Sequence, residues 1–561
     1  MQHDSIIAVE GMAYARPFIF SQNKLQISKE TDKGQEAELQ ALKEGISKCR
    51  KKLLSLMENS AHISKEYLEI LDFQLLMLED DEFLSEIKTY IINENCNAAY
   101  AVGVVSDLYA KKFAALDNDY LRERFSDIFD LGRSLQNSIL NVDDKITIDF
   151  DFIAVSDDLQ PSQVIQFDKD KVKGIVLEEG GITSHCVILA KSLGIPCMIN
   201  AKDIMAQVKE SDCLLLDCLN NRWIINPDHN EISIYKAYRI KKQAELERLE
   251  EYRSRPSITL DGYKMKVFSN ISSEAEAAAL LEQGSEGVGL FRTELFYTSN
   301  NFTPTEDYQF EIYSQITKRL GAREFIIRTL DVGGDKQIPY LNLPKEDNPF
   351  LGVRGIRFCL TNSELFKTQL RAIIRASAYG NIKIMIPMVT ILSEVRQVKQ
   401  MISDLQKELD ITKKIPFGIM IETPSAAFDA EIFADEVDFF SIGTNDLTQY
   451  LFAADRSSKE LTYLNSHFQP SLLRMINHVC LTAHKKNIEI DICGQAGEAL
   501  ELIPLWVAMG VHNLSVSVPF VIKVREVICN LDRGKCIKLL EAVLTSRTKE
   551  EVLKNLQSGG I

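Results

Sequence analysis

A histidine at a glycine-rich turn is the first group in this chain whose setting suggests chemistry. The turn Gly180-Gly181-Ile182-Thr183-Ser184-His185 lies between an apolar run at 174–177 and a helical pattern at 187–194. We expect a buried strand, a tight turn and a helix capped by Thr183 or Ser184. Because free N–H groups and the helix dipole favour an anion there, His185 is suited to carrying a phosphoryl group. The motif alone leaves open an incidental histidine in a capping turn.

Further polar residues follow short apolar runs after residue 262. Eight such runs alternate with helical patterns, which predicts an α/β fold with a C-terminal (β/α)8 TIM barrel. In such a barrel, polar residues at the carboxyl ends of the strands are typically catalytic. The predicted strands are 266–270, 287–291, 325–331, 383–389, 417–422, 439–446, 488–494 and 513–518.

The residues at these strand ends form a chemically coherent set. They are Arg292, Arg328, Asp331, Glu422, Asn445, Asp446 and Cys493, with Arg456 ten residues beyond Asp446. Arginines bind phosphate and carboxylate groups with paired donors, and oxygen ligands together with substrate oxygens suit Mg²⁺. A thiol beside a metal can donate or accept a proton. Taken singly, each charged residue could form an ordinary surface ion pair. Taken together, the set predicts an anionic phospho-compound bound through Mg²⁺.

Composition excludes several other classes of function. Of the 561 residues, 45% are hydrophobic and 26% are charged. The sequence has no apolar stretch long enough to span a membrane. A net charge of −16 argues against a nucleic-acid partner. Eleven scattered cysteines and the lack of a signal peptide predict reduced thiols and a cytoplasmic location. No P-loop is present, and the glycines at 284–289 are in the wrong order for a dinucleotide fingerprint, so we expect no nucleotide.

Pattern changes along the chain predict four parts. Long amphipathic helices fill 32–142, where glycine and proline are scarce, and β-rich runs flank them on both sides. We therefore expect an α/β domain made of 1–25 and 146–227, with strands at 148–155, 174–177, 213–217 and 222–225. Its inserted helical subdomain is 26–145, a polar linker helix follows at 228–256, and the barrel is 257–561.

Together these motifs resemble the enzyme I family of the bacterial phosphoenolpyruvate:sugar phosphotransferase system. The resemblance covers nearly the whole chain. It includes the helical stretch 117–128, the segment 154–162, and Asn348-Pro349-Phe350-Leu351-Gly352-Val353-Arg354-Gly355-Ile356-Arg357. It implies a phosphohistidine domain that swivels, an inserted subdomain that docks the phosphocarrier protein HPr, and a barrel that binds phosphoenolpyruvate and forms a homodimer.

The resemblance also implies roles for single residues. His185 would take the phosphoryl group from phosphoenolpyruvate and pass it to a histidine of HPr, and Cys493 would protonate the enolate to give pyruvate. Glu422 and Asp446 would hold Mg²⁺ or Mn²⁺. Substrate would be bound by Arg292, Arg328, Asn445, Asp446 and Arg456.

The sequence departs from the family pattern at two places. Ile182 and Cys186 stand where the family usually has Arg and Thr. The stretch Cys493-Gly494-Gln495-Ala496-Gly497-Glu498 is one residue shorter than the family's Cys-Gly-Glu-x-Ala-Gly-Asp and has Gln for its Glu. This leaves a second hypothesis open, a slow or regulatory phosphocarrier with little catalytic flux. A pyruvate phosphate dikinase or phosphoenolpyruvate synthase would need an additional ATP-grasp domain, for which 561 residues leave no room.

Overall fold

The structure is a computed structural model of the chain. It describes residues 5–20, 27–59, 65–114, 125–142, 148–157, 159, 161–164, 167–181, 185–298, 302–334, 338–341, 343–456, 458 and 460–559. The chain divides into two compact units, Met1–Gln243 and Ala244–Ile561. Over the described residues, no helix has both the length and the apolar character needed to cross a bilayer.

A seven-stranded mixed sheet forms the centre of the first unit. Its strand order is β1-β5-β4-β3-β2-β6-β7. Strands β2 to β5 pair in parallel, and β1, β6 and β7 are antiparallel to their neighbours. All five residues of β3 are buried, as expected for a central strand covered on both faces. The strands are β1 Ile6–Val9, β2 Met12–Phe20, β3 Phe152–Ser156, β4 Val172–Leu177, β5 Cys197–Ile199, β6 Leu214–Asp217 and β7 Arg222–Ile225.

Among the described residues of this unit, five helices lie between β2 and β3 in the sequence. Their apolar faces pack together; Phe83, Ile87 and Ile91 of α3, for example, are fully buried. They are α1 Gln35–Asn59, α2 Lys65–Glu79, α3 Asp81–Glu94, α4 Ala98–Ala114 and α5 Phe125–Leu140. The remaining helices that begin in this unit are α6 Pro161–Val164, α7 His185–Leu193, α8 Ile204–Gln207 and α9 His229–Glu250.

The second unit contains a closed barrel of eight parallel strands, which confirms the predicted TIM-barrel fold. The strand order is β10-β11-β12-β13-β14-β15-β8-β9. The strands are β8 Lys266–Ile271, β9 Gly287–Arg292, β10 Glu324–Arg328, β11 Asn381–Ile386, β12 Phe417–Ile421, β13 Phe439–Gly443, β14 Glu489–Cys493 and β15 Asn513–Ser517.

Helices follow and surround these strands. They are α10 Glu274–Glu282, α11 Glu294–Thr298, α12 Glu306–Leu320, α13 Ile356–Thr361, α14 Ser363–Ala376, α15 Leu392–Glu408, α16 Pro424–Phe428, α17 Ala430–Ala434, α18 Thr444–Leu451, α19 Pro470–Lys486, α20 Gln495–Glu498, α21 Ile503–Met509, α22 Val521–Asn530, α23 Arg533–Thr545 and α24 Lys549–Ser558.

Three barrel strands end about three residues earlier than the sequence predicts. The prediction placed the ends of β10, β11 and β13 at 331, 389 and 446, whereas they lie at Arg328, Ile386 and Gly443. The helix α18 begins at Thr444, and Met388 has a φ of 58°, which cannot continue an extended strand. Asp331 therefore lies in the turn after β10, and Asn445 and Asp446 lie in the first turn of α18.

Strand register brings these turns to one rim. Arg292 of β9 pairs with Arg328 of β10, and Gly443 of β13 pairs with Cys493 of β14. Inside the barrel, Cys493 belongs to a buried cluster with five apolar side chains, which are Leu290, Ile326, Met385, Met420 and Phe439. The packed interior thus forms the floor of a rim lined by polar groups.

Candidate active site

A fully buried arginine lies at the centre of the rim. Arg354 donates from Nε and Nη2 to the two oxygens of Asp331, both at 3.0 Å. Its Nη1 and Nη2 also donate to the two oxygens of Asp446, at 2.9 and 3.2 Å. Burial alone would lower the pKa of this guanidinium, but Asp331 and Asp446 raise it, so it stays charged. Arg354 belongs to the motif at 348–357, and the sequence predicts no role for it.

A second buried arginine, Arg328, has an N–H group available to a ligand. Its guanidinium forms an ion pair with Glu294, and its Nη1 lies 3.5 Å from an oxygen of Asp331. Within the described part of the chain, its buried Nε has no hydrogen-bond partner. Because an unpaired buried donor is costly, this N–H is suited to an anionic substrate.

Two carboxylates from neighbouring strand ends approach each other at the rim. Glu422 follows β12 and is fully buried, and its Oε1 accepts from the backbone N of Met388 at 2.6 Å. Burial raises the pKa of Glu422, and the carboxylates of Asp446 and Asp331 raise it further. A divalent cation would relieve this repulsion. Oxygen donors are what Mg²⁺ prefers, so the residues present fit such an ion.

This pair would supply only part of a metal's coordination shell. Among the described residues, no three His, Cys, Asp or Glu side chains are arranged to hold a metal ion together. Mg²⁺ is usually held by one or two carboxylates and completes its shell with water and substrate oxygens. The arrangement of Glu422 and Asp446 is of that kind.

The Cys493 side chain is a buried thiol. Its Sγ lies 3.3 Å from the Ile442 carbonyl oxygen, to which it donates, and it accepts from the Ser441 hydroxyl at 3.4 Å. Burial raises the pKa of Cys493 to about 11. The sulfur is therefore protonated near neutral pH and can act as a proton donor.

Three further residues of the predicted set lie at the same rim. Arg292 is exposed at the end of β9. Asn445 accepts from the backbone N of Gln495 at 3.1 Å, and Arg456 has its Nη1 3.7 Å from an oxygen of Asp446. The barrel thus brings together all the site residues that the sequence predicts within it. They are Arg292, Arg328, Glu422, Asn445, Asp446, Arg456 and Cys493.

The predicted phosphoryl acceptor belongs to the first unit. His185 is the first residue of α7, which follows β4 and the glycine turn. Ile182 and the predicted capping residues Thr183 and Ser184 lie outside the described residues. The neighbouring Cys186 is buried in the apolar core of this unit.

Comparison with known proteins covers both units. The chain matches family models described as "PEP-utilising enzyme, N-terminal" over 5–124, "PEP-utilising enzyme, mobile domain" over 148–221, and "PEP-utilising enzyme, PEP-binding domain" over 246–533. It is 36% identical to the phosphoenolpyruvate-protein phosphotransferase of Staphylococcus aureus, with 98% of each chain covered. Identity to the proteins of the same name is 37% in Listeria innocua (98% of this chain, 97% of that one) and 36% in Priestia megaterium (99% and 98%).

These matches extend over the whole chain and confirm the resemblance that the motifs indicate. The chain belongs to the phosphoenolpyruvate-protein phosphotransferase family, enzyme I of the phosphotransferase system.

Proposed function

We propose that this phosphotransferase moves the phosphoryl group of phosphoenolpyruvate to His185 and then to a histidine of HPr, with release of pyruvate. The observation that carries the proposal is the barrel rim, where buried arginines, a carboxylate pair and a protonated thiol converge. Each of these groups matches one part of phosphoenolpyruvate: its negative charges, its phosphoryl oxygens and its methylene carbon.

The arginines are assigned to the substrate's charges. The free Nε–H of Arg328 lies inside the rim, and Arg292 and Arg456 lie at its more accessible edge. Guanidinium groups bind phosphate and carboxylate oxygens through paired N–H donors. Asn445 would add a polar contact from the start of α18. Since the chain is acidic overall, these local cations are what would attract a small anion.

Glu422 and Asp446 are assigned to the metal. Bound Mg²⁺, or Mn²⁺ in its place, would neutralise charge on the phosphoryl oxygens and on the departing enolate oxygen. Arg354 fixes the Asp446 carboxylate through two hydrogen bonds, and Met388 fixes that of Glu422. Both carboxylates are therefore oriented before an ion arrives.

The chemical step divides between the two units. A neutral ring nitrogen of His185 attacks phosphorus, the P–O bond to the enol oxygen breaks, and its electron pair passes to the enolate. The enolate carbon then takes the proton of the Cys493 thiol, which yields pyruvate and leaves a thiolate to regain a proton from solvent. In the second half-reaction, a histidine nitrogen of HPr attacks the same phosphorus and His185 leaves.

Features of the first unit support HPr as the partner. The helices around the α2–α3 junction carry the acidic run Asp80-Asp81-Glu82, and the nearby Leu76 side chain is 60% exposed. Acidic groups around an exposed apolar side chain suit a small basic protein. None of the eleven cysteines, all of them among the described residues, forms a disulfide, which agrees with the proposed cytoplasmic location.

An apolar patch on the barrel supports the proposed homodimer. Phe428 of α16 is 79% exposed, and Ile432 of α17 and Leu481 of α19 are about half exposed or more. These helices lie side by side, because Lys485 of α19 pairs with Glu431 of α17. A second copy could cover the patch with its own equivalent residues, since a two-fold interface pairs like with like.

The proposed function is tested by pyruvate release. Full-length protein would be given phosphoenolpyruvate, Mg²⁺ and HPr, and His185→Ala and Cys493→Ala would be compared with His478→Ala, an exposed residue of α19. We expect sustained turnover in wild type and His478→Ala, none in His185→Ala, and a loss of about 10²- to 10⁴-fold in Cys493→Ala. Unchanged turnover in His185→Ala would overturn the proposal.

A slow, regulatory phosphocarrier is the second candidate function, and the altered turn after Cys493 is the observation that favours it. Such a protein would acquire acid-labile phosphate on His185 without releasing pyruvate repeatedly in the presence of HPr. The protonated Cys493, which faces the barrel interior, favours the catalytic function. A phosphocarrier that does not turn over phosphoenolpyruvate has no need of a proton donor in the barrel.

A further inference from the structure

One buried glutamine of the barrel has no role in the proposed reaction. Gln369 of α14 is fully buried, on the same helix face as the buried side chains of Phe366 and Ile373. A helix face of this kind is normally apolar, and burying an amide is costly unless its donors and its acceptor are hydrogen-bonded. The partners of the Gln369 amide therefore indicate why a polar residue occupies this position.

One partner is the turn that follows β10. Leu330 lies two residues beyond the last paired residue of this strand, Arg328, so its backbone groups need partners outside the ladder. Its N–H donates to Oε1 of Gln369 at 2.9 Å, and its carbonyl accepts from the Cys359 thiol of α13 at 3.5 Å. Side chains of two outer helices thus hold both peptide groups of the residue that lies between Arg328 and Asp331.

A chain of hydrogen bonds fixes the other end of the amide. Nε2 of Gln369 donates to the Tyr313 hydroxyl at 3.4 Å, and that hydroxyl donates to Oε1 of Gln309 at 3.2 Å. Nε2 of Gln309 then donates to the Pro304 carbonyl at 3.1 Å. The Leu330 N–H can only donate and the Pro304 carbonyl can only accept, so each group between them has one orientation. Such a fully satisfied buried network rigidifies the elements that it joins.

We propose that Gln369 is a positioning residue, which holds the β10 turn so that Arg328 and Asp331 keep the geometry needed to bind substrate and metal. Asp331 accepts two hydrogen bonds from Arg354 at 3.0 Å, and Arg354 in turn donates to Asp446, which is assigned to the metal. The inference rests on the proposed substrate and metal roles of this rim. It assigns to Gln369 no contact with substrate.

Two buried glutamines of the same network provide a matched comparison. Gln369→Met and Gln309→Met each replace an amide by an apolar side chain of similar length, and each removes two hydrogen bonds. We therefore expect similar falls in melting temperature. Only Gln369→Met releases the β10 turn. In full-length protein with Mg²⁺ and HPr, it should lower kcat/KM for phosphoenolpyruvate about ten- to hundredfold, whereas Gln309→Met should turn over like wild type.

The variant Gln369→Glu provides a rescue. Burial favours the protonated form of its carboxyl group, which offers an acceptor toward Leu330 and a hydroxyl donor toward Tyr313. We expect this variant to recover most of the activity that Gln369→Met loses. Activities of Gln369→Met and Gln309→Met that fall in parallel with their melting temperatures would show that Gln369 acts through stability alone, and the positioning role would be wrong.

Arg328→Met separates a failure of this inference from a failure of the proposed function. If Arg328→Met loses affinity for phosphoenolpyruvate with Mg²⁺, measured by calorimetry, while Gln369→Met keeps wild-type affinity and turnover, the positioning role is wrong and the proposed function stands. If Arg328→Met itself binds and turns over phosphoenolpyruvate like wild type, the assignment of the rim is wrong and the inference falls with it.

Hydrogen exchange gives a readout that does not depend on turnover. The Leu330 amide should exchange about tenfold faster in Gln369→Met than in wild type, because its acceptor is lost. Gln309→Met and Gln369→Glu should retain wild-type protection. Mass spectrometry of peptides that contain residues 325–332 would measure the exchange at a temperature where every variant is folded. Wild-type protection in Gln369→Met would overturn the proposed hold on the turn.

Discussion

Each buried arginine at the rim lies within a few ångströms of two carboxylates. Arg354 is shared between two carboxylates, and Arg328 lies between Glu294 and Asp331. A buried ion without a partner is far more costly than a surface charge. The two arginines face three carboxylates, those of Asp331, Asp446 and Glu294, so this buried cluster has an excess of negative charge that a divalent cation would offset.

Arg354 provides the sharpest test of this pairing. Replacing it with Met would leave Asp331 and Asp446 without their buried cation, and we expect the barrel to lose about 3–5 kcal/mol in free energy of unfolding. Urea unfolding followed by circular dichroism would measure the loss. Arg396→Met, whose side chain is 64% exposed and pairs with Glu436, should change stability by less than about 1 kcal/mol. Equal effects of the two substitutions would contradict the proposed importance of the buried ion pairs of Arg354.

The protonation of Cys493 gives a second prediction at this scale. Its raised pKa, about 11, means that the thiolate is scarce from pH 7 to pH 9 and increases only toward pH 11. Alkylation of Cys493 by iodoacetamide, quantified by peptide mass spectrometry, should therefore be slow at pH 8 and accelerate above pH 10. The partly exposed Cys213 provides an internal comparison. A fast reaction of Cys493 at pH 7.5 would exclude its assignment as a protonated acid.

The strand-end residues were predictable from the sequence, whereas their buried partners were not, for a physical reason. Arg292, Glu422 and Cys493 lie where a barrel rule points, directly after apolar runs. Arg354 lies 23 residues after Asp331 and 92 before Asp446, and no local pattern predicts a pairing at such separations.

At the scale of elements, the turn from β14 to α20 depends on a glycine in a special conformation. Gly494 has a φ of 92°, and a Cβ built on it would lie 2.6 Å from the Thr444 hydroxyl oxygen. Gly262 has nearly the same φ, 91°, but a Cβ there would meet no atom within 4 Å. Comparing these two glycines therefore separates the cost of a positive φ from the cost of steric crowding.

We expect Gly494→Ala to be worse than Gly262→Ala in both stability and activity. Both substitutions place an L-residue at positive φ, which costs about 1–2 kcal/mol. Only Gly494→Ala also pushes against Thr444 and thus displaces the carbonyl of Cys493. Thermal unfolding and pyruvate release would be measured for both variants. Equal losses of activity would show that the tight fit of this turn is unimportant for the reaction.

The elements themselves were predictable to different degrees. All eight barrel strands appear where apolar runs indicated them, because fully buried parallel strands are continuous in hydrophobicity. The three-residue strand β5, Cys197–Ile199, was missed, since such a short run beside Gly194 and Pro196 resembles a turn. The predicted strand ends were too late where the apolar run continues past the last residue that pairs with a neighbouring strand, as at Met388.

At the scale of the whole molecule, the apolar patch around Phe428 predicts an oligomeric state. Phe428→Glu together with Leu481→Glu would place charges on the proposed two-fold interface, and we expect a shift from dimer to monomer. Sedimentation velocity over a range of protein concentrations would detect it. Tyr463→Glu, at a residue that is 66% exposed in the segment between α18 and α19, is the matched surface control. A wild-type chain that remains monomeric at high concentration would refute the proposed homodimer.

The helix α9 contains the boundary between the two compact units, and each of its ends is fixed within one of them. Near its start, Glu231 pairs with both terminal nitrogens of Arg222 in the first unit. Near its end, Arg248 pairs with Glu526 at 2.8 Å in the second unit. The residues 239–244 between these anchors are all exposed. If the two units move relative to each other during the reaction, the helix must bend or rotate between these anchors. We therefore propose residues 239–244 as the hinge.

Breaking the helix in this stretch should separate substrate binding from phosphoryl transfer. Lys241→Pro removes a backbone donor and costs about 3 kcal/mol of helix stability, whereas Lys241→Ala retains the helix. Because every rim residue belongs to the barrel, we expect unchanged affinity for phosphoenolpyruvate, measured by calorimetry with Mg²⁺. Phosphorylation of His185 and transfer to HPr require the first unit, so turnover should fall several-fold in Lys241→Pro alone. Wild-type turnover in that variant would mean that a continuous α9 is not needed to bring His185 to its two partners.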